Sequence, residues 1–91
     1  MTLMGKELGT EATMVSYLME VGWELYVTSN PQRPPRLIKR VVTGRVMEVK
    51  TCDVAVDTVI ELQLADRLVP RKKFSVGRVH THVYVLKAIR K

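Results

Sequence analysis

Residues 53–86 read DVAVDTVIELQLADRLVPRKKFSVGRVHTHVYVL, and this stretch decides the predicted fold. Asp53 is a short polar residue that can accept the free N–H groups of a first helical turn, so we predict a helix beginning there. Apolar residues at spacings of three and four predict one buried helix face, formed by Val56, Val59, Ile60, Leu64 and Leu68. Because Pro70 disfavours helix at the residue before it, the helix is predicted to end by about Arg67.

The second half of the stretch predicts a β-hairpin. Apolar residues alternate with other side chains from Phe74 to Leu86, and Gly77 lies where the two strands must join. Three consecutive basic residues, Arg71, Lys72 and Lys73, precede this alternation. The hairpin is therefore expected to carry a basic end.

A helix that runs directly into a hairpin with a basic tip, as in DTVIELQLADRLVPRKKFSVGRVHTHVYVL, resembles the second half of a winged helix-turn-helix domain. In that comparison, ADRLV lies where such domains pass from the recognition helix into the first strand of the wing. The resemblance covers about a third of the chain. It implies a small DNA-binding accessory or regulatory protein with duplex DNA as its partner, of the kind that phages and mobile elements encode.

The N-terminal part of the chain predicts one further helix. Residues 1–9 have no clear period and are expected to form a loose lead-in, from which Leu3, Met4 or Leu8 can fold back on the core. Thr10 can cap a helix that Gly22 ends. Its predicted apolar stripe is Met14, Tyr17, Leu18 and Val21.

Strand-like segments connect the two predicted helices. Trp23–Thr28 alternates, and Arg36–Val42 is a strand-like run of matching length on the other side of the proline-rich loop SNPQRPP, which predicts a hairpin. Arg45–Thr51 also alternates, and the sequence is compatible with either a third strand or a short helix in this segment. The predicted fold is α+β and winged-helix-like, with two helices packed on a small antiparallel sheet, in the order helix, two or three strands, helix, two strands.

Composition predicts a single domain over residues 1–91. Hydrophobic residues make up 46% of the chain and charged residues 26%, which is ordinary for a globular protein. The single cysteine, Cys52, cannot form an intramolecular disulfide or a cysteine-rich zinc site. Every hydrophobic segment is shorter than the ~20 residues that cross a bilayer, so we expect a cytoplasmic protein with no membrane partner.

The net charge of +6 is unevenly distributed. Lys and Arg outnumber Asp and Glu by six to two in residues 23–51 and by seven to none in residues 71–91, whereas both predicted helices are acidic. Basic surface of this kind attracts nucleic acid, although it also keeps a small protein in solution.

Ten residues are the predicted nucleic-acid contacts. They are Arg71, Lys72, Lys73, Arg78 and His80 on the hairpin, Thr58, Gln63 and Arg67 on or after the second helix, and Arg33 and Arg36 in the proline-rich loop. Solvated strand ends and a surface turn are the alternative interpretations of the basic residues. The carboxylates of Asp57, Glu61 and Asp66 argue against DNA binding by the second helix, because phosphate groups repel them.

No enzyme, cofactor or metal site is predicted. His80 and His82 share a strand face, but no third histidine exists and Cys52 is the only other soft ligand. The acidic residues are scattered, and no phosphate-binding glycine loop follows a strand. Tyr17, Trp23 and Tyr26 are predicted to be core or packing aromatics rather than stacking platforms for bases, because no interleaved basic residues accompany them.

Two other function classes remain open from the sequence. The acidic second helix suits contact with a protein, so a protein-interaction module docking on a transcription or replication protein is the rival hypothesis. A hairpin-rich chain of this size also has exposed strand edges that can pair across a two-fold axis, which predicts a possible homodimer.

Overall fold

The computed structural model describes residues 8–87, which form two helices and one five-stranded antiparallel sheet. The elements are α1 (Thr10–Glu20), β1 (Glu24–Thr28), β2 (Arg36–Thr43), β3 (Val46–Asp53), α2 (Val56–Leu64), β4 (Leu68–Val76) and β5 (Val79–Leu86). The strand order is β3-β2-β1-β5-β4. The α+β class is confirmed. The winged-helix assignment is not, because three strands rather than a helix precede α2.

Most of the predicted lead-in and the extreme C-terminus lie outside the described residues. Leu8, the first described residue, packs against the core as expected. No helix in the described part of the chain is both long and apolar enough to cross a membrane.

The sheet consists of two hairpins with β1 between them. β2 pairs with β3, β4 pairs with β5, and β1 pairs with both β2 and β5. The segment left open by the sequence is therefore a strand. Both tight turns place a glycine first and an arginine second, with φ 62° at Gly44 and 61° at Gly77. A positive φ at the first turn position followed by a negative one is the type II′ pattern, which matches the twist of the adjoining strands.

The main core lies between the two helices and one face of the sheet. The fully buried side chains there include Leu25, Leu37 and Leu62, each with no exposed surface. Burying a leucine of this kind stabilises the fold by about 1.5–3 kcal/mol relative to leaving it in water. Trp23 packs against this core, as predicted.

The buried face of α1 differs from the predicted stripe. Ala12, Val15 and Met19 face the core, whereas Met14 and Tyr17 are 58% and 62% exposed. Of the predicted residues, only Leu18 packs against the core, and Val21 is exposed. The predicted and the observed faces both follow spacings of three and four residues, so the spacing alone does not decide between them; packing against the rest of the fold does.

The start and buried face of α2 also differ from prediction. Asp53 belongs to β3, and the helix begins at Val56 with Ala55 as its N-cap. The reason is that the Val54 N–H donates to Pro35 O at 2.8 Å and its side chain is buried, which holds the chain extended beyond Asp53. The buried residues of α2 are Thr58, Val59 and Leu62, and the exposed ones include Val56, Ile60 and Leu64.

Both helices end in the same way. The N–H of Trp23 donates to Leu18 O at 3.1 Å, and the N–H of Arg67 donates to Leu62 O at 3.0 Å. These bonds close a Schellman motif, whose linking residue has a positive φ. That residue is Gly22 (φ 112°) after α1, as predicted, and Asp66 (φ 58°) after α2.

The helices also satisfy each other's first backbone donors. Glu61 in α2 accepts a hydrogen bond from the Gly9 N–H at 2.6 Å, and Glu11 in α1 accepts one from the Ala55 N–H at 3.4 Å. Gly9 and Ala55 are the two N-cap residues. A carboxylate near a helix N-terminus is favourable because that end of the helix dipole is positive. These two acidic side chains therefore have a structural role.

Candidate nucleic-acid interface

The helices cover one face of the sheet, and no described element covers the other, which we call the open face. Residues directly opposite each other in an antiparallel ladder point to the same face. The register places Tyr26 opposite both Arg36 and Val83, and Val83 opposite Lys72. These residues form one row across four strands. Leu25 and Leu37 belong to the opposite, helix-covered face.

An aromatic pair lies at the centre of the open face. The rings of Tyr26 and Phe74 meet edge to face, with centroids 6.4 Å apart and an interplanar angle of 66°. The two residues come from β1 and β4 and are brought together by β5, where Thr81 lies opposite both Thr28 and Phe74. Phe74 remains 43% exposed. Its ring is available to a planar ligand.

A groove of about 400 Å³ runs beside this pair. Tyr26, Ile38 and Phe74 contribute its apolar surface, and Arg33 and Arg36 are its basic lining residues. The volume lies within the range of small-ligand sites. The groove is bounded on one side by the β1–β2 loop and on the other by the β4–β5 hairpin.

Hydrogen bonds hold the loop in place at the edge of the groove. Asn30 accepts bonds from the N–H groups of Gln32, at 2.9 Å to its side chain, and Arg33, at 3.1 Å to its carbonyl. Ser29 exchanges bonds with His80, donating its N–H to the His80 carbonyl at 2.8 Å and accepting the His80 N–H on Oγ at 3.0 Å. The loop is thereby tied to β5, so Arg33 is presented from a defined turn.

One carboxylate neutralises part of the positive charge on the open face. Glu24 forms an ion pair with Arg40 at 3.8 Å and a hydrogen-bonded ion pair with Arg71. Arg40 also donates to the Tyr26 hydroxyl at 3.4 Å, and this hydrogen bond, together with the charge of Glu24, raises the pKa of Arg40. Arg40 is therefore held beside the aromatic pair as a permanent cation.

Three other cations remain uncompensated. Within residues 8–87, Arg33, Arg36 and Lys72 form no ion pair. Asp53 is the cross-strand neighbour of Arg36 but lies beyond ion-pair distance. The open face thus combines aromatic surface with free positive charge.

The structure divides the predicted nucleic-acid contacts among several surfaces. Arg33, Arg36, Arg71 and Lys72 lie on or beside the open face. Lys73 and His80 lie on the opposite face, in register with His82 and Ser75. Arg78 is at the tip of the β4–β5 hairpin. The proposed wing is therefore not one surface, because adjacent residues of a strand point in opposite directions.

The predicted contacts of α2 do not form a binding surface. Thr58 is only 5% exposed, so its side chain is not available to a ligand. Gln63 faces the proline-rich loop, and Arg67 lies after the helix near Glu20 of α1. The three residues are thus separated from one another.

The histidine pair is located as the sequence predicted, on one strand face. His80 Nδ1 lies 2.7 Å from Ser75 Oγ, and the His82 ring stacks on Tyr84 with centroids 6.2 Å apart. Among the described residues, no group of three His, Cys, Asp or Glu side chains could hold a metal ion.

The prediction for the aromatic residues is wrong at one position. Tyr17 is exposed on α1, whereas Tyr26 packs against Phe74 on the open face. Tyr26 alternates with Leu25 and Val27 in the sequence, so its opposite orientation could be read from the strand period. Its partner Phe74 could not, because the pair depends on β5 lying between β1 and β4.

Comparison with known proteins gives no relative. No family model matches the chain, and neither a curated protein nor a solved structure matches it. The function is therefore argued from the chemistry of the open face. Exposed aromatic rings flanked by arginine and lysine are the elements with which proteins bind single-stranded nucleic acid, since rings stack on bases and cations contact phosphates.

Proposed function

We propose that this protein binds single-stranded nucleic acid on the open face of its sheet. The observation that carries the proposal is the Tyr26–Phe74 pair between uncompensated cations. In the proposed complex a base stacks on Phe74, and Arg36 and Lys72, at the two ends of the Tyr26 row, contact phosphates. Arg33 adds a third phosphate contact from the groove.

Single strands suit this surface better than duplex DNA. Stacking on Phe74 needs an accessible base face, and the bases of a duplex are stacked on one another. The helices offer no alternative site, because α1 and α2 contain four carboxylates (Glu11, Glu20, Asp57 and Glu61) and neither Lys nor Arg. The winged-helix interpretation remains a prediction that would instead use Arg78 at the hairpin tip and duplex DNA.

The proposal is tested by fluorescence anisotropy with a labelled oligonucleotide and with the duplex of the same sequence. The single strand should bind more tightly, and the logarithm of its association constant should fall with log salt at about 0.7 per neutralised phosphate, or roughly 2 for three contacts. Equal or tighter binding of the duplex would favour the winged-helix interpretation. No binding of either at tens of micromolar protein in low salt would exclude a nucleic-acid function.

Docking on another protein is a second candidate function, supported by an exposed apolar row on α2. Val56, Ile60 and Leu64 recur every fourth residue and are 57%, 46% and 71% exposed. A pull-down from nuclease-treated lysate, repeated with Ile60→Glu, separates the two functions. A protein retained by the wild type and lost by the variant would support docking.

A further inference from the structure

The two edges of the sheet are protected differently against pairing with another strand. The β4 edge contains Pro70, a β-bulge between Pro70 and Lys72, and three consecutive basic residues. These features disfavour edge pairing. The β3 edge has none of them: its eight residues pair with β2 without a register shift, and all eight are exposed. Among the described residues, nothing covers this edge.

The register of the β2–β3 hairpin identifies the free backbone groups of β3. The two-residue turn hydrogen-bonds Thr43 to Val46, which are opposite each other. Because hydrogen-bonded and non-hydrogen-bonded pairs alternate along an antiparallel ladder, the even-numbered residues of β3 bond to β2. The N–H and C=O groups of Met47, Val49 and Thr51 therefore point away from the sheet and can bond to a further strand.

We propose that two copies of this chain pair antiparallel through β3, with Val49 opposite Val49 of the second copy. In this register Glu48 lies opposite Lys50 twice, and the turn residue Arg45, just before β3, comes level with Asp53 at each end. Opposite charges in directly opposed positions stabilise a strand pair, and like charges destabilise it. The charge pattern of β3 is thus complementary to itself about Val49.

The same charges disfavour the neighbouring registers. A two-fold axis normal to the sheet leaves every side chain on its own face. Because directly opposed residues must share a face, the axis has to pass through a residue position rather than between two positions. Moving the centre one position in either direction places Glu48 opposite Glu48 or Lys50 opposite Lys50. Among these three registers, only the one centred on Val49 opposes Glu48 and Lys50 and also brings Arg45 level with Asp53.

The resulting dimer has a continuous ten-stranded sheet. The axis normal to the sheet keeps both helix layers on one side and both open faces on the other. Five strand spacings separate the two β1 strands, about 24 Å at the usual spacing of neighbouring strands. This proposal does not depend on the proposed function, since it concerns only the β3 edge.

Sedimentation equilibrium with charge variants tests the pairing. The wild type should sediment with twice the monomer mass, whereas Glu48→Lys and Lys50→Glu should each sediment as monomers because each variant opposes like charges. An equimolar mixture of the two should recover the dimer mass, and the double variant E48K/K50E should also dimerise. A monomeric wild type at several hundred micromolar would overturn the proposal, as would dimers of both single variants.

Engineered cysteines test the register in a Cys52→Ser background. Val49→Cys should form a disulfide-linked dimer under mild oxidation, because its two copies face each other. Met47→Cys should not, since its copies are four residues out of register, roughly 13 Å along the strand, and a disulfide needs Cα atoms within about 7 Å. Adding Thr51→Cys to Met47→Cys should restore the cross-link. Equal cross-linking of all three variants would indicate random association, and cross-linking of Met47→Cys alone would indicate another register.

Discussion

The rings of Tyr26 and Phe74 meet edge to face at 6.4 Å on the open face, although β2, β3 and α2 separate these residues in the chain. β5 lies between their strands and supplies Val83, which lies opposite Tyr26 on the open face and is itself fully buried. Because directly opposed side chains of a strand pair lie within about 5.5 Å, Val83 supports the Tyr26 ring from the neighbouring strand on the same face. A supported aromatic surface loses little conformational freedom when a base stacks on it, which favours binding.

Removing the exposed ring should weaken binding of single strands. For Phe74→Ala we expect a loss of about 1–3 kcal/mol, or roughly 5- to 150-fold in affinity, which is the usual contribution of one stacked base. Tyr17→Ala is the matched control, because Tyr17 is also an exposed aromatic residue but lies on α1. Anisotropy titrations with both variants measure the effect. An equal loss from both would mean that the open face is not the binding site.

Lys72 and Lys73 are adjacent residues of the same type on opposite faces of β4. Lys72→Ala should weaken single-strand binding and lower the salt dependence by about 0.7 in the log–log slope, the value of one phosphate contact. Lys73→Ala should leave the slope unchanged. The comparison holds net charge constant, so equal effects would indicate diffuse electrostatic attraction without a defined face.

Removing the carboxylate of Glu24 should strengthen binding. Glu24 forms ion pairs with Arg40 and Arg71, and Glu24→Gln would free both guanidinium groups for phosphate. We expect a several-fold higher affinity and a steeper salt dependence. The stability cost should be small, about 0–1 kcal/mol, because ion pairs with exposed arginines contribute little. Asp57→Asn adds the same charge on α2 and is the control; a gain of equal size there would contradict a local effect.

Binding should not change with pH between about 6 and 9, because lysine and arginine remain protonated there. The hydrogen bond to Tyr26 raises the pKa of Arg40, so this cation is retained even more firmly as pH rises. Histidine gains charge below about pH 6.5. Binding that strengthens at acidic pH would therefore indicate contacts by histidine rather than by the open face. Binding titrations at several pH values and constant ionic strength distinguish a site on the open face from one on the opposite face, where His80 and His82 lie.

The sequence predicted the strands better than the helix faces. The two-residue period of Trp23–Thr28 identified Leu25 as a core residue, because alternate residues of a strand must point to opposite faces. On α1, apolar residues occupy more than one side, and the choice of side depended on the sheet against which the helix packs. The same ambiguity affected α2, where Val59 was placed correctly but Ile60 and Leu64 are exposed.

The candidate site was the least predictable feature. Its cations were identified because charge runs are visible in sequence, as at Arg71–Lys73. Adjacent residues point to opposite faces, and the face that each one occupies depends on the bulge between Pro70 and Lys72, which reverses the orientation of every later residue of β4. Pro70 is a residue type that sheets accept at edges and bulges, but its effect on the register of β4 is not visible in the sequence, which is why Arg71, Lys72 and Lys73 are predicted to form a single wing.

Asp66 provides a test of the fold that is independent of function. It is the only non-glycine residue with positive φ among the described residues, at 58°, and its side chain pairs with Lys87. Asp66→Ala and Asp66→Gly remove this ion pair equally, but only glycine adopts the left-handed conformation without cost. The left-handed conformation costs an alanine about 1–2 kcal/mol, so Asp66→Gly should be the more stable variant by roughly that amount. For a domain of this size we expect a melting temperature about 4–8 °C higher per kcal/mol for the glycine variant, measured by circular dichroism. Identical melting temperatures would show that residue 66 is not left-handed in solution and that α2 ends differently.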